Sequence, residues 1–562
     1  MWIVVNSSVG SRALQSLENQ MARNSIHFGR QILRLFHCGK LVSIGLSLAL
    51  LGSLPLYAQP APLPSASPES AAAQAYQMGM SLVRERRLDE AISTFKNGLA
   101  RDPQSTVLLN VIGATYSLKG DFEQADEYLL KSLQIDPGFV PARKNLAISY
   151  FNLGKYDLAA TEFRRLINEP GDSRLIASLF LGIIAEEEHD FSKSASLLGQ
   201  SGDIVYKYPQ ALLSFAHSLL ELNQAQKADA LLNRLQEMPG VKAAEYFKAG
   251  LLFSRQKQYQ QALAEFERAS NIDSGLSGLS YQRAAVLNRL GRPEEALKVL
   301  KELTSTRPDP PSLNLLANLA RSTGDLSLAI QSLRQAALLE PKNEVNYLDF
   351  STLCMDYENY PLALEAADIG LAHIPGSYRL QVQKGAILEK LGRLGEAEKI
   401  VQKASRLQAD NSVALLSLGI IQTHAGELQD AINTLSSAIN KFPSNSQMHY
   451  YLGVALEQTL KHDTKAAGAF KEAIRLDPSF ADSYYHLAKL YLDQDPKLAE
   501  QNLLACLRLD PHHLSAQYSL GRLYLKTGRQ AKGRALIDAF ERQQQAEKLK
   551  VRQKPSLELA QR

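Results

Sequence analysis

The chain has 562 residues, of which 45% are hydrophobic and only three are cysteine. A single hydrophobic core does not normally grow to this length, whereas a solenoid escapes the limit because each unit needs only its neighbours. The three cysteines exclude a fold held together by disulfides, and the apolar content excludes an intrinsically disordered chain.

Residues 1–58 have the pattern of a secretory signal. The basic residues Arg23, Arg30, Arg34 and Lys40 precede an apolar run over residues 41–54, and Ala58 is a small residue at a suitable cleavage position. The run is short for a membrane-spanning helix of about 20 residues, so we expect cleavage and a secreted or periplasmic protein. The alternative is an uncleaved inner-membrane anchor. Translation from Met21 instead of Met1 would shorten the long basic part.

The charge balance depends on this segment. Of the 62 basic and 58 acidic residues, five and one lie in residues 1–58, which leaves 57 of each in the rest of the chain. Nucleic acid is therefore not expected as a partner, because it requires a basic face. Membrane contact is expected only through the N-terminal segment, if that segment is retained.

The remaining chain divides into a linker, a long array and a tail. Residues 59–71 are rich in Pro, Ala and Ser, which favours an extended tether. Residues 72–547 contain about fourteen copies of a phrase of about 34 residues, which indicates a stack of similar units. Residues 548–562 are predicted to form a mobile basic tail.

The repeated phrase combines small and bulky residues at fixed spacing. Its clearest copy contains Gly113, Tyr116, Ala125 and Leu129. Small residues let two helices approach closely, and larger residues fill the space around them. The packing residues predicted in this way are Gly79, Ala91, Phe95, Gly113, Tyr116, Ala125, Ala147, Tyr150, Ala159, Phe163, Gly419, Ala431, Gly521 and Tyr524.

In its residue types and its period the phrase resembles the tetratricopeptide repeat family. The resemblance implies an all-α solenoid: an α-α superhelix of stacked antiparallel helix pairs whose first helices line a concave face. Two stretches depart from the pattern and predict soft joints, near residues 200–209 and 273–280. The fourth repeat has Gly199 where a bulky residue belongs, so its second helix should be short.

No catalytic constellation is present in the sequence, and we expect no enzyme activity, cofactor or metal. The acidic run at 186–190 and the pair His512-His513 fall in turns, where such residues are normally solvated. Cys354 and Cys506 occupy packing positions and are expected to be small apolar fillers.

The resemblance implies that the fifth and ninth positions of first helices face the groove. In the last three repeats these positions predict tyrosines flanked by cations, which could hold an extended peptide, although tyrosine is also common there as a packing residue. The predicted groove residues are Tyr450, Tyr485, Lys489, Tyr518, Arg522 and Lys526. Earlier ninth positions are mostly apolar and predict a different groove wall: Met80, Ala114, Ile148, Ile183 and Leu251.

The function that these features predict is a non-enzymatic scaffold that binds protein or peptide partners of unknown identity. The alternative is a structural or assembly subunit of an envelope machine that exports polysaccharide or protein. Some relatives carry a glycosyltransferase domain after their repeats, but about fifteen residues follow the array here, and we expect no such domain.

Overall fold

A computed structural model describes residues 71–459 and 463–553 of the chain. Over these residues the protein forms 28 α-helices and one short 3₁₀ helix, and they include no β-strand. The prediction of an all-α solenoid of stacked helix pairs is confirmed. The predicted signal segment and nearly all of the predicted linker lie outside the described residues, as does most of the predicted tail.

The amino-terminal unit comprises residues 71–290. It contains α1 (Ala71–Arg84), α2 (Leu88–Leu99), α3 (Thr106–Lys119), α4 (Phe122–Ile135), α5 (Val140–Asn152), α6 (Tyr156–Leu166), α7 (Asp172–Glu187), α8 (Phe191–Gln200), the 3₁₀ helix (Gly202–Lys207), α9 (Pro209–Glu221), α10 (Ala225–Leu235), α11 (Ala243–Arg255), α12 (Tyr259–Ile272) and α13 (Leu279–Arg289).

The carboxy-terminal unit begins at Gly291. It contains α14 (Pro293–Thr306), α15 (Pro310–Ser322), α16 (Leu326–Leu339), α17 (Glu344–Asp356), α18 (Tyr360–His373), α19 (Tyr378–Lys390), α20 (Leu394–Leu407), α21 (Ser412–Ala425), α22 (Leu428–Lys441), α23 (Ser446–Gln458), α24 (Asp463–Leu476), α25 (Ala481–Tyr491), α26 (Pro496–Leu509), α27 (Leu514–Lys526) and α28 (Gln530–Gln553).

Odd-numbered helices are the first helices of the repeats and even-numbered helices are the second. Within each unit, successive first helices also contact one another, as α3 with α5 and α21 with α23 do. Within each unit, the apolar stripe of one helix pair is therefore covered by the next pair.

Turn chemistry explains the sharp reversal inside a repeat. Between α3 and α4, Gly120 adopts a left-handed conformation with φ of 82° and ends the first helix. The next residue, Asp121, accepts a hydrogen bond from the backbone N–H of Gln124 and so caps the second helix. This pairing of a left-handed residue and a cap brings two helices side by side within a few residues.

The small residues of the repeat lie where two helices approach closely. A methyl group added at Gly113 would lie 2.6 Å from Leu129 Cγ, so the position accepts only glycine without a shift of its neighbours. The alanines predicted on second helices have no exposed surface at Ala91, Ala125, Ala159 and Ala431. Tyr116 and Tyr150, in contrast, are only partly buried.

The structure departs from a regular repeat at most of the places where the sequence predicts it. The second helix of the fourth repeat, α8, has 10 residues and is followed by the 3₁₀ helix, so the predicted shortening is confirmed. The last helix contradicts the predicted boundary at 547, because α28 continues to Gln553. Good helix formers without Gly or Pro follow residue 545, and the first proline comes only at 555.

Candidate peptide-binding face

The predicted groove residues lie on three first helices of the carboxy-terminal unit. We call the surface of α23, α25 and α27 that carries them the C-terminal first-helix face, and its predicted members are Tyr450, Tyr485, Lys489, Tyr518, Arg522 and Lys526. Because α25 follows α23 and α27 follows α25 in the stack, groups at matching positions can meet across the joints between repeats.

Tyr450 does not belong to the exposed part of this face, which corrects the sequence prediction. Its side chain is 6% exposed, and its ring centroid lies 4.7 Å from that of Phe480 and 5.6 Å from that of His486. Burial raises the pKa of its phenol well above the usual value. Tyr450 therefore packs between the helices. This agrees with the alternative prediction, in which tyrosine at this repeat position is a packing residue.

A partly buried carboxylate, Glu457, joins α23 to α25. Glu457 accepts a hydrogen bond from His486 Nδ1 at 2.7 Å and forms an ion pair with Lys489 Nζ at 2.8 Å. Burial alone would raise the pKa of Glu457, but the hydrogen bonds and charges of His486 and Lys489 outweigh it and hold this pKa below its usual value. Lys489 is exposed but already has this intramolecular partner.

A second carboxylate joins α25 to α27. Lys526 Nζ lies 2.8 Å from Asp493 Oδ1, and this contact, with the nearby charge of Arg522, lowers the pKa of Asp493. The Arg522 guanidinium lies 5.9 Å from the centre of the Tyr518 ring, within reach of a cation–π attraction. Arg522 is exposed and makes no ion pair with any residue of the described chain.

Tyr485 lies between two histidines at the joint of α25 and α27. Its ring centroid is 4.9 Å from that of His513 and 5.2 Å from that of His486. The Nδ1 of His513 accepts the backbone N–H of Ala516 and so caps α27, while its Nε2 lies 3.1 Å from Asp482 Oδ1. Tyr485 is partly exposed, so part of its ring is accessible to a ligand, while its contacts with His486 and His513 fix its position.

Among the described residues, Arg522 is the cation of this face that forms no ion pair. Lys489 and Lys526 each form an ion pair with a carboxylate of their own unit. A guanidinium beside a tyrosine ring can bind a carboxylate of a ligand, and the two partly exposed rings can cover its apolar atoms. The arrangement fits an extended peptide with an acidic group.

The apolar groove wall predicted in the earlier repeats is wrong at three of its five positions. Ile148 and Ile183 are buried in one cluster with the aromatic residues between α5 and α8, so they stabilise the stack and are not available to a ligand. Ala114 is also buried, while Met80 and Leu251 are partly exposed.

The two cysteines of the array are packing residues. Cys354 and Cys506 are free and buried, as predicted, and burial raises the pKa of both thiols to about 12. Across residues 71–459 and 463–553, no group of three or more His, Cys, Asp and Glu side chains is placed to hold a metal ion. None of the described helices is long and apolar enough to cross a membrane.

The sequence analysis missed the carboxylates that decide which cations are available. Glu457 and Asp493 are near the ends of first helices, and each is paired with a cation of the next first helix, 32 and 33 residues further along. A search for opposite charges separated by nearly one repeat period, on first helices and in the turns that follow them, could have found both pairs.

Comparisons with known proteins agree with this architecture. Family models described as tetratricopeptide repeat match residues 107–139, 145–171, 254–319, 310–343, 378–411, 416–479 and 485–547, which together make up more than half of the chain. The chain belongs to the tetratricopeptide repeat family.

Individual relatives are distant. The human Protein O-mannosyl-transferase TMTC3 is 23% identical over 419 residues, which cover 74% of this chain and 40% of that protein. A TPR repeat-containing protein of Pseudomonas aeruginosa is 27% identical over 206 residues, which cover 36% of this chain and 35% of its own length. The chain thus spans well under half of these relatives. The crystal structure of yeast Tom70 aligns with 86% of this chain and all of its own, at 16% identity and a TM-score of 0.35.

Proposed function

We propose that the protein is a non-enzymatic scaffold that binds an extended, acidic peptide segment of a protein partner on the C-terminal first-helix face. The observation that carries the proposal is Arg522, an exposed guanidinium that forms no ion pair with residues 71–459 or 463–553 and lies beside the ring of Tyr518. Tyr485, on the neighbouring helix, supplies a second partly exposed ring. The family and the stack support a role in protein interactions, because a solenoid offers many contacts in register.

The test uses peptides selected from a random twelve-residue phage library on the full chain. Tyr485→Ala combined with Arg522→Ala should weaken binding of acidic selected peptides by about tenfold or more, because a charge-assisted hydrogen bond and a ring contact are lost. Binding is measured by calorimetry with synthetic peptides. Replacing the acidic residue of the peptide by its amide should weaken binding to the unaltered protein and change nothing further in the double variant.

The control variant removes a similar pair elsewhere. Lys131 Nζ lies 5.3 Å from the ring centre of Tyr128 in the amino-terminal unit, so Tyr128→Ala with Lys131→Ala deletes the same kinds of group. This control should leave the affinity unchanged. Equal binding by the Tyr485/Arg522 variant and the unaltered chain would sink the assignment of the face.

We further propose that the scaffold works in the cell envelope. The support is the basic stretch, the apolar run at 41–54 and Ala58 in the sequence. When the full chain is expressed in a bacterium, periplasmic protein should begin at Gln59 by N-terminal sequencing, and deletion of 41–54 should keep it in the cytoplasm. Full-length protein in the cytoplasm contradicts export, and full-length protein in the membrane fraction indicates an anchor in place of a cleaved signal.

A further inference from the structure

One position of the first helices reaches back to the preceding first helix. It lies two residues before the small residue of the repeat, as Ser214 and His486 do. The Ser214 hydroxyl donates to Glu186 Oε2 at 3.3 Å, and His486 Nδ1 lies 2.7 Å from Glu457 Oε2. Both glutamates lie four residues after the small residue of their own repeat, so the same two positions meet at both joints. The small residues of these repeats are Gly182, Ala216, Gly453 and Ala488.

In the ninth repeat this position is Asp349 on α17, and here the contact is not made. By the same count its partner on α15 would be Arg321, but Arg321 Nη1 lies 3.6 Å from Asp356 Oδ2 instead. On the following first helix, α19, Arg379 Nη1 pairs with Glu344 Oε1 at 2.9 Å. Among the described residues, the Asp349 side chain therefore forms no ion pair, and it accepts no hydrogen bond.

The Asp349 carboxylate can be reached without any movement of the helices. Asp349 is partly exposed, and spacings of three and four residues place it on one face of α17 with Val345, Thr352 and Asp356. Val345 is 37% exposed, so this face offers an aliphatic contact one helical turn from the carboxylate. The Thr352 hydroxyl accepts a hydrogen bond from Gln383 Nε2 at 3.2 Å, which holds α19 beside the face.

The surroundings of Asp349 disfavour its charge. Burial raises the pKa of Asp349 to about 6, although the charges of Arg321 and Arg379 act in the opposite direction. The charged groups Arg334 of α16 and Glu365 of α18 act on the next turn of α17 and not on this carboxylate. A carboxylate that is partly withdrawn from water and has no partner gains more from an approaching cation than a fully solvated one does.

We propose that Asp349 anchors a basic side chain of a partner segment, whose ammonium or guanidinium group pairs with the carboxylate while its alkyl stem packs along Val345. The proposal deepens the proposed function and rests on it, because it adds a second subsite to the scaffold and names the residue chemistry that this subsite takes. A metal ion does not fit as the occupant, since in the described part of the chain no three His, Cys, Asp and Glu side chains are placed to hold one.

The probe is a basic peptide selected by its dependence on pH. A random twelve-residue phage library is bound to the full chain at pH 7.5 and eluted at pH 5, which enriches peptides that are held by an ionised carboxylate. These peptides should be rich in lysine or arginine. Their affinity, measured by calorimetry with synthetic peptides, should fall about tenfold from pH 7.5 to pH 5, because a carboxyl with a pKa of about 6 is ionised in only about one molecule in ten at pH 5.

The decisive variant is Asp349→Asn in the full chain. It keeps the shape of the side chain and removes its charge, so it should weaken binding of the basic peptide about tenfold at pH 7.5 and abolish the dependence on pH. Replacing the basic residue of the peptide by norleucine should weaken binding to the unaltered protein by the same factor and change nothing further in the variant. The matched control is Asp538→Asn, an exposed aspartate on α28, which should leave the affinity unchanged at both pH values.

Stability separates a binding role of Asp349 from a structural one. Its raised pKa means that the ionised form costs stability, and this cost grows from about pH 4 to about pH 6. Asp349→Asn should therefore raise the thermal midpoint at pH 7.5, by an amount that shrinks as the pH falls from 6 to 4. A lowered midpoint at pH 7.5 with unchanged affinity would mean that Asp349 is only a counter-charge for Arg321, and it would overturn the proposal.

The Tyr485/Arg522 double variant distinguishes this subsite from the C-terminal first-helix face. It should bind the basic peptide with unchanged affinity, since that face takes an acidic group. Equal affinity of the basic peptide for the unaltered chain and for Asp349→Asn contradicts the subsite at Asp349, whatever the acidic peptides show at the C-terminal face. A selection that returns no peptide with a basic residue contradicts it as well.

Discussion

Replacing Phe163 with alanine is expected to lower the free energy of unfolding of the amino-terminal unit by about 3–5 kcal/mol. Phe163 has no exposed surface, and its ring is stacked on that of Phe180 with centroids 4.9 Å apart. Phe180 in turn contacts Phe151 edge to face at 4.9 Å, so the cluster links α5, α6 and α7. Deleting one ring leaves a cavity at the junction of two repeats, where the stack depends on its neighbours.

The measurement is chemical unfolding followed with hydrogen exchange, which shows whether α5 to α7 open first. Leu158→Ala on the same helix is the control, because that side chain is 49% exposed and its loss should change the unfolding free energy by about 0.5 kcal/mol or less. Similar losses for the two variants would show that the Phe163 cluster does not hold the repeats together.

The second large effect is expected at Gly419, where the helices α21 and α22 approach closely. A methyl group on Gly419 would lie 2.5 Å from Leu435 Cγ and 2.6 Å from Leu435 Cδ2, and Leu435 is fully buried. Gly419→Ala should therefore destabilise the carboxy-terminal unit by about 1–3 kcal/mol through overpacking. Thermal unfolding of the full chain, with hydrogen exchange to locate the change, measures it.

The same substitution at Gly468 should have the opposite sign. Gly468 lies within α24, is exposed, and has no atom within 4 Å of an added methyl group. Gly468→Ala should stabilise the unit by about 0.5–1 kcal/mol, since glycine is a poor helix former in a helix interior. Stabilisation by both substitutions would mean that the gain in helix propensity outweighs the close approach of the helices at position 419, which would contradict the overpacking argument.

The architecture was predictable from the sequence because the repeated residues are the packing residues. Gly113, Ala125 and Phe163 recur at fixed spacing since every helix pair must present the same small and large surfaces to the next. The end of the last helix was not predictable in the same way. The repeat pattern does not extend beyond residue 547. The helix α28 continues to Gln553 because the residues that follow are good helix formers.

The candidate face was only partly predictable. Their positions in the repeat selected Tyr485, Lys489 and Arg522, which have accessible side chains, but the same positional argument selected Tyr450, which is buried. The position of a residue in a repeat fixes the face of the helix on which it lies. It does not fix how far the next repeat covers that face. Here the ring of Phe480, which is not part of the repeated phrase, packs against the ring of Tyr450.

The sequence by itself determined that this protein is a stack of tetratricopeptide repeats, because period and residue type are properties of single helix pairs. Only the tertiary structure decided which polar groups are satisfied. Glu457 pairs with Lys489 and Asp493 pairs with Lys526, while among the described residues Arg522 has no ion-pair partner and the amide of Asn152 has no hydrogen-bond partner. These differences arise between helices about one repeat apart, where a small change in side-chain length decides whether two groups meet.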